Sequence, residues 1–206
     1  MPLSVLVLGT NNRKKLAELR VLVEPLGLTL KTLQDFSQAL EVEESGTTFA
    51  ENAALKATVQ AKHLGQWVLG EDSGLAVDAL GGKPGVYSAR YSDPGATDER
   101  NNQKLLVELA SVPDERRTAY YVCHATLSDP SGTIRADAEG ICRGRLRHSY
   151  AGTGGFGYDP LFEIVEYHRT FGELAPEVKS LLSHRGRAMR QLIVQLQRLL
   201  TSGDWT

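Results

Sequence analysis

Ser4-Val5-Leu6-Val7-Leu8-Gly9-Thr10-Asn11-Asn12-Arg13-Lys14-Lys15 is the stretch that decides the fold. Residues 4–9 run through β-branched and leucine side chains, the composition of a buried strand. The polar triplet at 10–12 breaks that strand, and residues 13–24 then carry leucines at helical spacing. Strand, tight polar turn and helix, in that order, open an α/β sheet, and the neighbouring segments are read as layers around it.

Working outward, Pro25 and Gly27 end the first helix, residues 28–33 can form a second strand, and the acidic segment Glu41-Val42-Glu43-Glu44 follows. Thr48 with Glu51 makes a capping box that predicts a helix over residues 49–64, with Gly65 as its stop. Residues 67–70 read as a short buried strand that delivers Glu71-Asp72-Ser73-Gly74 at its C-terminal end. After a glycine-rich turn, Thr97 caps a helix that runs to residue 110. Residues 119–127 and 133–142 pair as a hairpin through Asp129-Pro130-Ser131-Gly132, which makes the sheet mixed. A last helical region starts at Pro176 and restarts at Ser183; its Met189, Leu192, Ile193, Leu196, Leu199 and Leu200 follow the helical period. No internal repeat or low-complexity segment interrupts this order.

The chain has 206 residues, 41% of them hydrophobic, and no linker-like stretch, so one folding unit is expected. A net charge of -2 excludes the broad cationic surface of a general nucleic-acid binder. Residues 3–8 are too short for a secretory core and no later run approaches a membrane span. Cys123 and Cys142 fit neither a zinc spacing nor a disulfide framework, which points to reduced thiols and the cytoplasm.

Four segments carry chemistry. The turn from Gly9 to Lys15 joins a strand to a helix start, where backbone N–H groups and the helix dipole favour an anion. Arg13, Lys14 and Lys15 oppose that dipole, which suggests a negatively charged ligand; the plainer reading is an Asn-capped surface helix with solvated lysines. Glu43-Glu44 and Glu71-Asp72 could supply hard oxygen ligands to magnesium from separate segments, although surface acids are common. Asp72 stands out, because it follows an apolar strand and would sit at the sheet edge where α/β proteins bind ligands.

Gly152-Thr153-Gly154-Gly155-Phe156-Gly157-Tyr158-Asp159-Pro160 contains a formal G-x-G-x-x-G, but no helix pattern follows it, and a dinucleotide site does not fit. It reads instead as a loop that presents Phe156 and Tyr158 to a base, or as a glycine turn with core aromatics. Last come Lys179 and Ser183-His184-Arg185-Gly186-Arg187, cations gathered where a helix begins.

T-x-N-x-x-K at Thr10, Asn12 and Lys15, E-D-S-G at 71–74, G-G-F-G-Y-D at 154–159 and S-H-R-G at 183–186 together resemble the ITP/XTP pyrophosphatase family. The similarity runs over residues 5–200, and the ordered set is far more specific than any one motif. The resemblance implies an α/β fold of three layers around a mixed twisted sheet, with two lobes around a central cleft, in a homodimer. It implies magnesium-dependent hydrolysis of the purine nucleoside triphosphates ITP, dITP and XTP to monophosphate and pyrophosphate, with no nucleic-acid or membrane partner.

By the same resemblance Thr10, Asn11, Asn12, Arg13, Lys14, Lys15 and Lys179 bind phosphates, and Asp72 is general base and metal ligand. Glu43 is taken as the second ligand from its distance to Gly46, with Glu44 a close rival. Ser73 matches a substrate contact, and Phe156, Gly157, Tyr158 and Asp159 with His184 and Arg185 match the base pocket. Asn11 stands where glycine is usual, and Glu71 where aspartate is usual; asparagine tolerates left-handed backbone and glutamate keeps the charge. The segment from Gly81 to Tyr91, with Tyr87 and Tyr91, is the expected dimer contact.

Overall fold

A computed structural model describes residues 5–205. Its strands are β1 (Val5–Leu8), β2 (Thr29–Thr32), β3 (Trp67–Val77), β4 (Thr118–Ser128), β5 (Ile134–Leu146), β6 (Phe162–Ile164) and β7 (Arg169–Thr170). Its α-helices are α1 (Arg13–Val23), α2 (Phe49–Leu64), α3 (Asp98–Glu108), α4 (Pro176–Leu182) and α5 (His184–Ser202). The strands form one seven-stranded sheet in the order β2-β1-β3-β4-β5-β6-β7. β1 is parallel to both of its neighbours, whereas β6 is antiparallel to β5 and β7, so the sheet is mixed.

Contacts divide the described chain into two compact units. The first holds residues 5–72, Cys123–Gly140 and 185–205, and the second holds Ser73–Val122 and Ile141–His184.

In the first unit β1 has parallel partners on both sides, registering Leu6 with Leu30 and with Trp67, which is why it reads as continuous Val-Leu-Val-Leu. Strand alternation then sorts its core. Leu6, Leu8, Trp67 and Leu69 pack with Leu19 and Val23 of α1 and Met189, Leu192 and Leu196 of α5. Val7 and Val68 point the other way, to Ala61 of α2 and to Leu33. Helices on both faces of a sheet give the three layers. Trp205 closes the first face by stacking on Trp67 at 4.2 Å.

Local signals explain the ends. Asn12 caps α1, while Thr48 and Glu51 form the capping box of α2, which stops at Gly65 in the left-handed region at φ 62°. In the second unit Thr97 caps α3, and Leu105 and Leu109 pack with Leu75, Tyr121, Tyr158, Phe162 and Phe171.

Most boundaries fall within two residues of the sequence reading, and two strand ends differ by more. β5 runs on to Leu146 rather than ending at residue 142. β3 runs to Val77, so Glu71-Asp72-Ser73-Gly74 lies inside the strand instead of at its end. Charged residues are poor strand formers and seldom buried unless paired, and here both acids are buried and paired, which lets the strand continue. Among the described residues no helix is long and apolar enough to cross a membrane.

Candidate active site

Asp72 is positioned by the strand below it and the helix above it. Gly70 lies two residues earlier on the same face of β3, and there α2 comes so close that a Cβ would sit 2.4 Å from the Ala53 carbonyl oxygen and 2.6 Å from the Ala57 nitrogen. The small residues Ala53 and Ala57 make that approach possible, and it brings the next polar positions of α2 onto the carboxylate. Asn52 Nδ2 donates to Asp72 Oδ2 at 3.2 Å, and Lys56 Nζ donates to Asp72 Oδ1 at 2.9 Å. Residues 52 and 56 are one turn apart and share a helix face.

The same two side chains gather the acidic loop. Lys56 Nζ lies 3.0 Å from Glu44 Oε1, and Asn52 Oδ1 accepts from the Gly46 N–H at 2.8 Å. The Glu44 carboxylate shares Lys56 with Asp72, and Glu43 precedes it in the same loop. Asp72 and Glu44 oxygens thus converge on one positive charge, and they are hard donors of the kind magnesium takes. Magnesium commonly uses one or two carboxylates and completes its octahedron with phosphate oxygens and water, so this donor set fits it. Among the described residues no group of three or more His, Cys, Asp or Glu forms an all-protein cage.

Burial pushes the Asp72 carboxyl above the ordinary aspartate range, and the charges of Lys56 and Lys15 offset this only in part. Burial also works against the Lys56 charge, but Asp72 and Glu44 outweigh it and hold the ammonium above the usual lysine range. The result is a firmly charged lysine beside a carboxylate of raised basicity.

Glu71 points to the opposite face of β3, toward α1 and α5. Its Oε2 lies 3.1 Å from Lys15 Nζ, its Oε1 accepts from Arg185 Nη2 at 2.8 Å, and the Cys123 thiol donates to it at 3.3 Å. The other terminal nitrogen of Arg185 donates to Glu18 of α1. Arg185 is 1% exposed and Glu71 is equally buried, so this is a desolvated charge cluster that orients Lys15.

Next to it, Asn12 Oδ1 accepts from the Lys14 and Lys15 backbone N–H groups at 3.0 and 3.2 Å, and the Asn12 N–H donates to Thr10 Oγ1 at 3.2 Å. The cap therefore satisfies two of the N–H groups of the first turn. The side chains of Arg13, Lys14 and Lys15 add positive charge there, and the first two are exposed.

In the second unit Asp159 organises the glycine-rich loop. Its Oδ2 accepts from the Phe156 N–H at 2.7 Å and from Lys179 Nζ at 2.8 Å, and its Oδ1 lies 3.5 Å from the Tyr121 hydroxyl. Gly155, at φ +73°, lets the loop close on that carboxylate, since a Cβ there would lie 2.1 Å from Asp159 Oδ2. Lys179 Nζ also sits 4.7 Å from the Phe156 ring centre. The buried His184 ring stacks on Tyr121 with centroids 4.6 Å apart and planes within 10°.

The structure thus groups Phe156, Gly157, Tyr158, Asp159, Lys179 and His184 in the second unit, and the first-turn cations with Asp72 in the first. Lys179, which the resemblance gives to the phosphates, lies against Asp159 and Phe156. Arg185, which it gives to the base, is held by Glu18 and Glu71. Ser73 follows Asp72 on β3, and its side chain takes the other face.

Sequence reasoning missed Asn52, Lys56, Glu18 and Tyr121. A signal existed for the first two: Asn52 and Lys56 flank a face of α2 otherwise built from the small Ala53 and Ala57.

A sequence model of the Ham1 family matches residues 6–195. The dITP/XTP pyrophosphatase of Rhodopirellula baltica is 57% identical over 199 residues, which cover 97% of this chain and 96% of that protein. The dITP/XTP pyrophosphatase of Geobacter sulfurreducens is 52% identical over 187 residues, covering 91% and 94%. Among solved structures, a HAM1 protein from Coxiella burnetii superposes with a TM-score of 0.87 at 37% identity, covering 95% of this chain and 100% of that one. With Lys15, Asp72, Asp159, Lys179 and His184 all inside the matched span of residues 6–195, the chain belongs to the Ham1 family.

Proposed function

We propose that this chain hydrolyses the non-standard purine nucleoside triphosphates ITP, dITP and XTP to the nucleoside monophosphate and pyrophosphate. The observation that carries the reading is Asp72: a buried carboxylate of raised basicity, gripped by Lys56 and Asn52 and sharing a cation with Glu44. The names of the relatives, dITP/XTP pyrophosphatases at 57%, 47% and 52% identity over nearly the full chain, supply the substrate class.

In this reading Asp72 accepts a proton from the attacking water, whose oxygen bonds the α-phosphorus as the bridging oxygen to the β-phosphorus departs with pyrophosphate. Lys15, with Arg13 and Lys14, balances the triphosphate charge from the first turn, where Thr10, Asn11 and Asn12 shape the backbone. Asp72 and Glu44, with Glu43 beside it, would hold magnesium, which supplies charge neutralisation at the phosphates. The aromatic and polar side chains of Phe156, Tyr158, Asp159, Lys179 and His184 serve the base, with the Gly157 backbone between them and Ser73 as a further substrate contact. Arg185 is assigned to orienting Glu71 and Lys15.

A reducing compartment, the cytoplasm, is assigned because neither Cys123 nor Cys142 is in a disulfide. A homodimer is assigned with Tyr87 at its contact, a ring that is 59% exposed. Product analysis over ITP, XTP, GTP and ATP with magnesium tests the activity. Monophosphate with pyrophosphate, formed fastest from ITP and XTP, is the expected result; nucleoside diphosphate with orthophosphate would overturn the reading.

A further inference from the structure

The loop that carries Phe156 and Asp159 is held at Gly157 by helix α3. The Gly157 N–H donates to Asp98 Oδ2 at 3.0 Å, and the Gly157 carbonyl accepts from Asn102 Nδ2 at 2.9 Å. Residues 98 and 102 are one turn apart on α3, so one helix face holds both polar groups of one residue's backbone. Gly157 sits at φ +61°, in the left-handed region, and glycine has the widest backbone freedom of any residue. Its position must therefore be imposed from elsewhere.

We propose that Asp98 and Asn102 are positioning residues for base selection, a two-point clamp that fixes the Gly157 peptide and with it the placing of Phe156, Tyr158 and Asp159. The inference rests on the base-recognition role given to that loop above.

Two features of the surroundings support it. Asn102 is 3% exposed, and its Oδ1 is buried with no hydrogen-bond partner among the described residues. An apolar side chain would avoid that penalty, so what the amide contributes is its bond to Gly157. The helix is itself anchored on the side of Asn101, whose Oδ1 accepts from the Ser92 N–H at 2.8 Å and whose Nδ2 donates to the Ala89 carbonyl at 3.1 Å. The Ser88 carbonyl accepts from both Asn101 Nδ2, at 3.3 Å, and the Tyr158 hydroxyl, at 2.9 Å. The clamp on Gly157 and the anchor of Tyr158 thus share one support.

Telling a six-keto base from a six-amino base requires donors held to a fraction of an ångström, because the wrong base is rejected by leaving polar groups unpaired. Slackening the loop therefore degrades selection while leaving the chemistry at Asp72 in place.

The test is kcat and KM for ITP and ATP on wild type, Asp98→Asn, Asp98→Ala and Asn102→Leu, with melting temperatures. Both Asp98 variants lose the charge at the helix N-terminus, but only alanine loses the acceptor for Gly157. We expect Asp98→Asn to keep the ITP to ATP ratio of kcat/KM within ~3-fold of wild type. Asp98→Ala and Asn102→Leu should lower it ~10-fold, mainly through a raised KM for ITP.

A wild type that prefers ITP, together with Asp98→Ala and Asn102→Leu proteins that keep the preference, overturns the clamp alone. An Asp98→Asn protein that falls as far as Asp98→Ala also overturns it, since charge and not the bond would then matter. A wild type with no preference for ITP overturns the base-recognition reading, and the clamp's role with it. Asp98 is exposed, so the Asn and Ala pair decides the matter even if Asn102→Leu fails to fold.

Discussion

Lys56 Nζ lies 2.9 Å from Asp72 Oδ1, so the candidate base carries its own counter-ion. The ammonium favours the ionised carboxylate while burial disfavours it, and burial prevails. The candidate site is best understood through that opposition.

Asp72→Asn keeps the shape and hydrogen-bonding reach of the side chain but removes its basicity. Its kcat should fall by ~10²-fold or more with little change in KM, because proton acceptance acts in the transition state. Steady-state kinetics on ITP check this, and a retained kcat would remove Asp72 from the chemistry.

Lys56→Gln tests the counter-ion through pH. A general base works only when ionised, so the acidic limb of kcat/KM follows the Asp72 carboxylate as Lys56 and a bound cation set it. Removing a cation that stabilises the carboxylate raises that limb, and the loss of rate should be greatest at low pH. Rate profiles at saturating magnesium report this directly; an unmoved or lowered limb would contradict it.

Gly70→Ala tests how the site is assembled. The new methyl would meet the backbone of Ala53 and Ala57, which cannot yield as a flexible side chain would. Overpacking of this kind destabilises by ~1 to 3 kcal/mol, and here it also displaces the helix that carries Asn52 and Lys56. Denaturant unfolding and kcat should therefore both decline, and a protein unchanged in both would refute the close approach.

Arg185→Leu leaves Glu71 buried with Lys15 as its remaining charged partner. Leaving a buried charge wholly uncompensated destabilises by ~3 to 5 kcal/mol, so the loss here is smaller than that, whereas replacing both partners by apolar groups often restores stability. The double variant Arg185→Leu with Glu71→Leu should accordingly recover much of the loss in melting temperature. No recovery would mean that the two side chains act separately.

The sequence made the framework legible where local rules are strong. The apolar run of residues 5–8, the Asn12 cap and the Thr48 and Glu51 box each specify backbone without help from distant residues. The course of β3 was hidden, because Glu71 and Asp72 look like a strand end until Lys15, Lys56 and Arg185 arrive from three helices to pair with them. His184 and Arg185 were equally hard to separate. They are successive residues at the start of α5, where each step turns the side chain by about 100°. One ring goes to Tyr121 and the next guanidinium to Glu71, a division that no spacing rule contains.

Attack by water on the α-phosphorus leaves an isotopic record in the products. ITP is hydrolysed in ¹⁸O-labelled water with magnesium, and the products are weighed by mass spectrometry. One ¹⁸O atom in the inosine monophosphate and none in the pyrophosphate is the expected result. Label in the pyrophosphate, or release of labelled orthophosphate with inosine diphosphate, would contradict it.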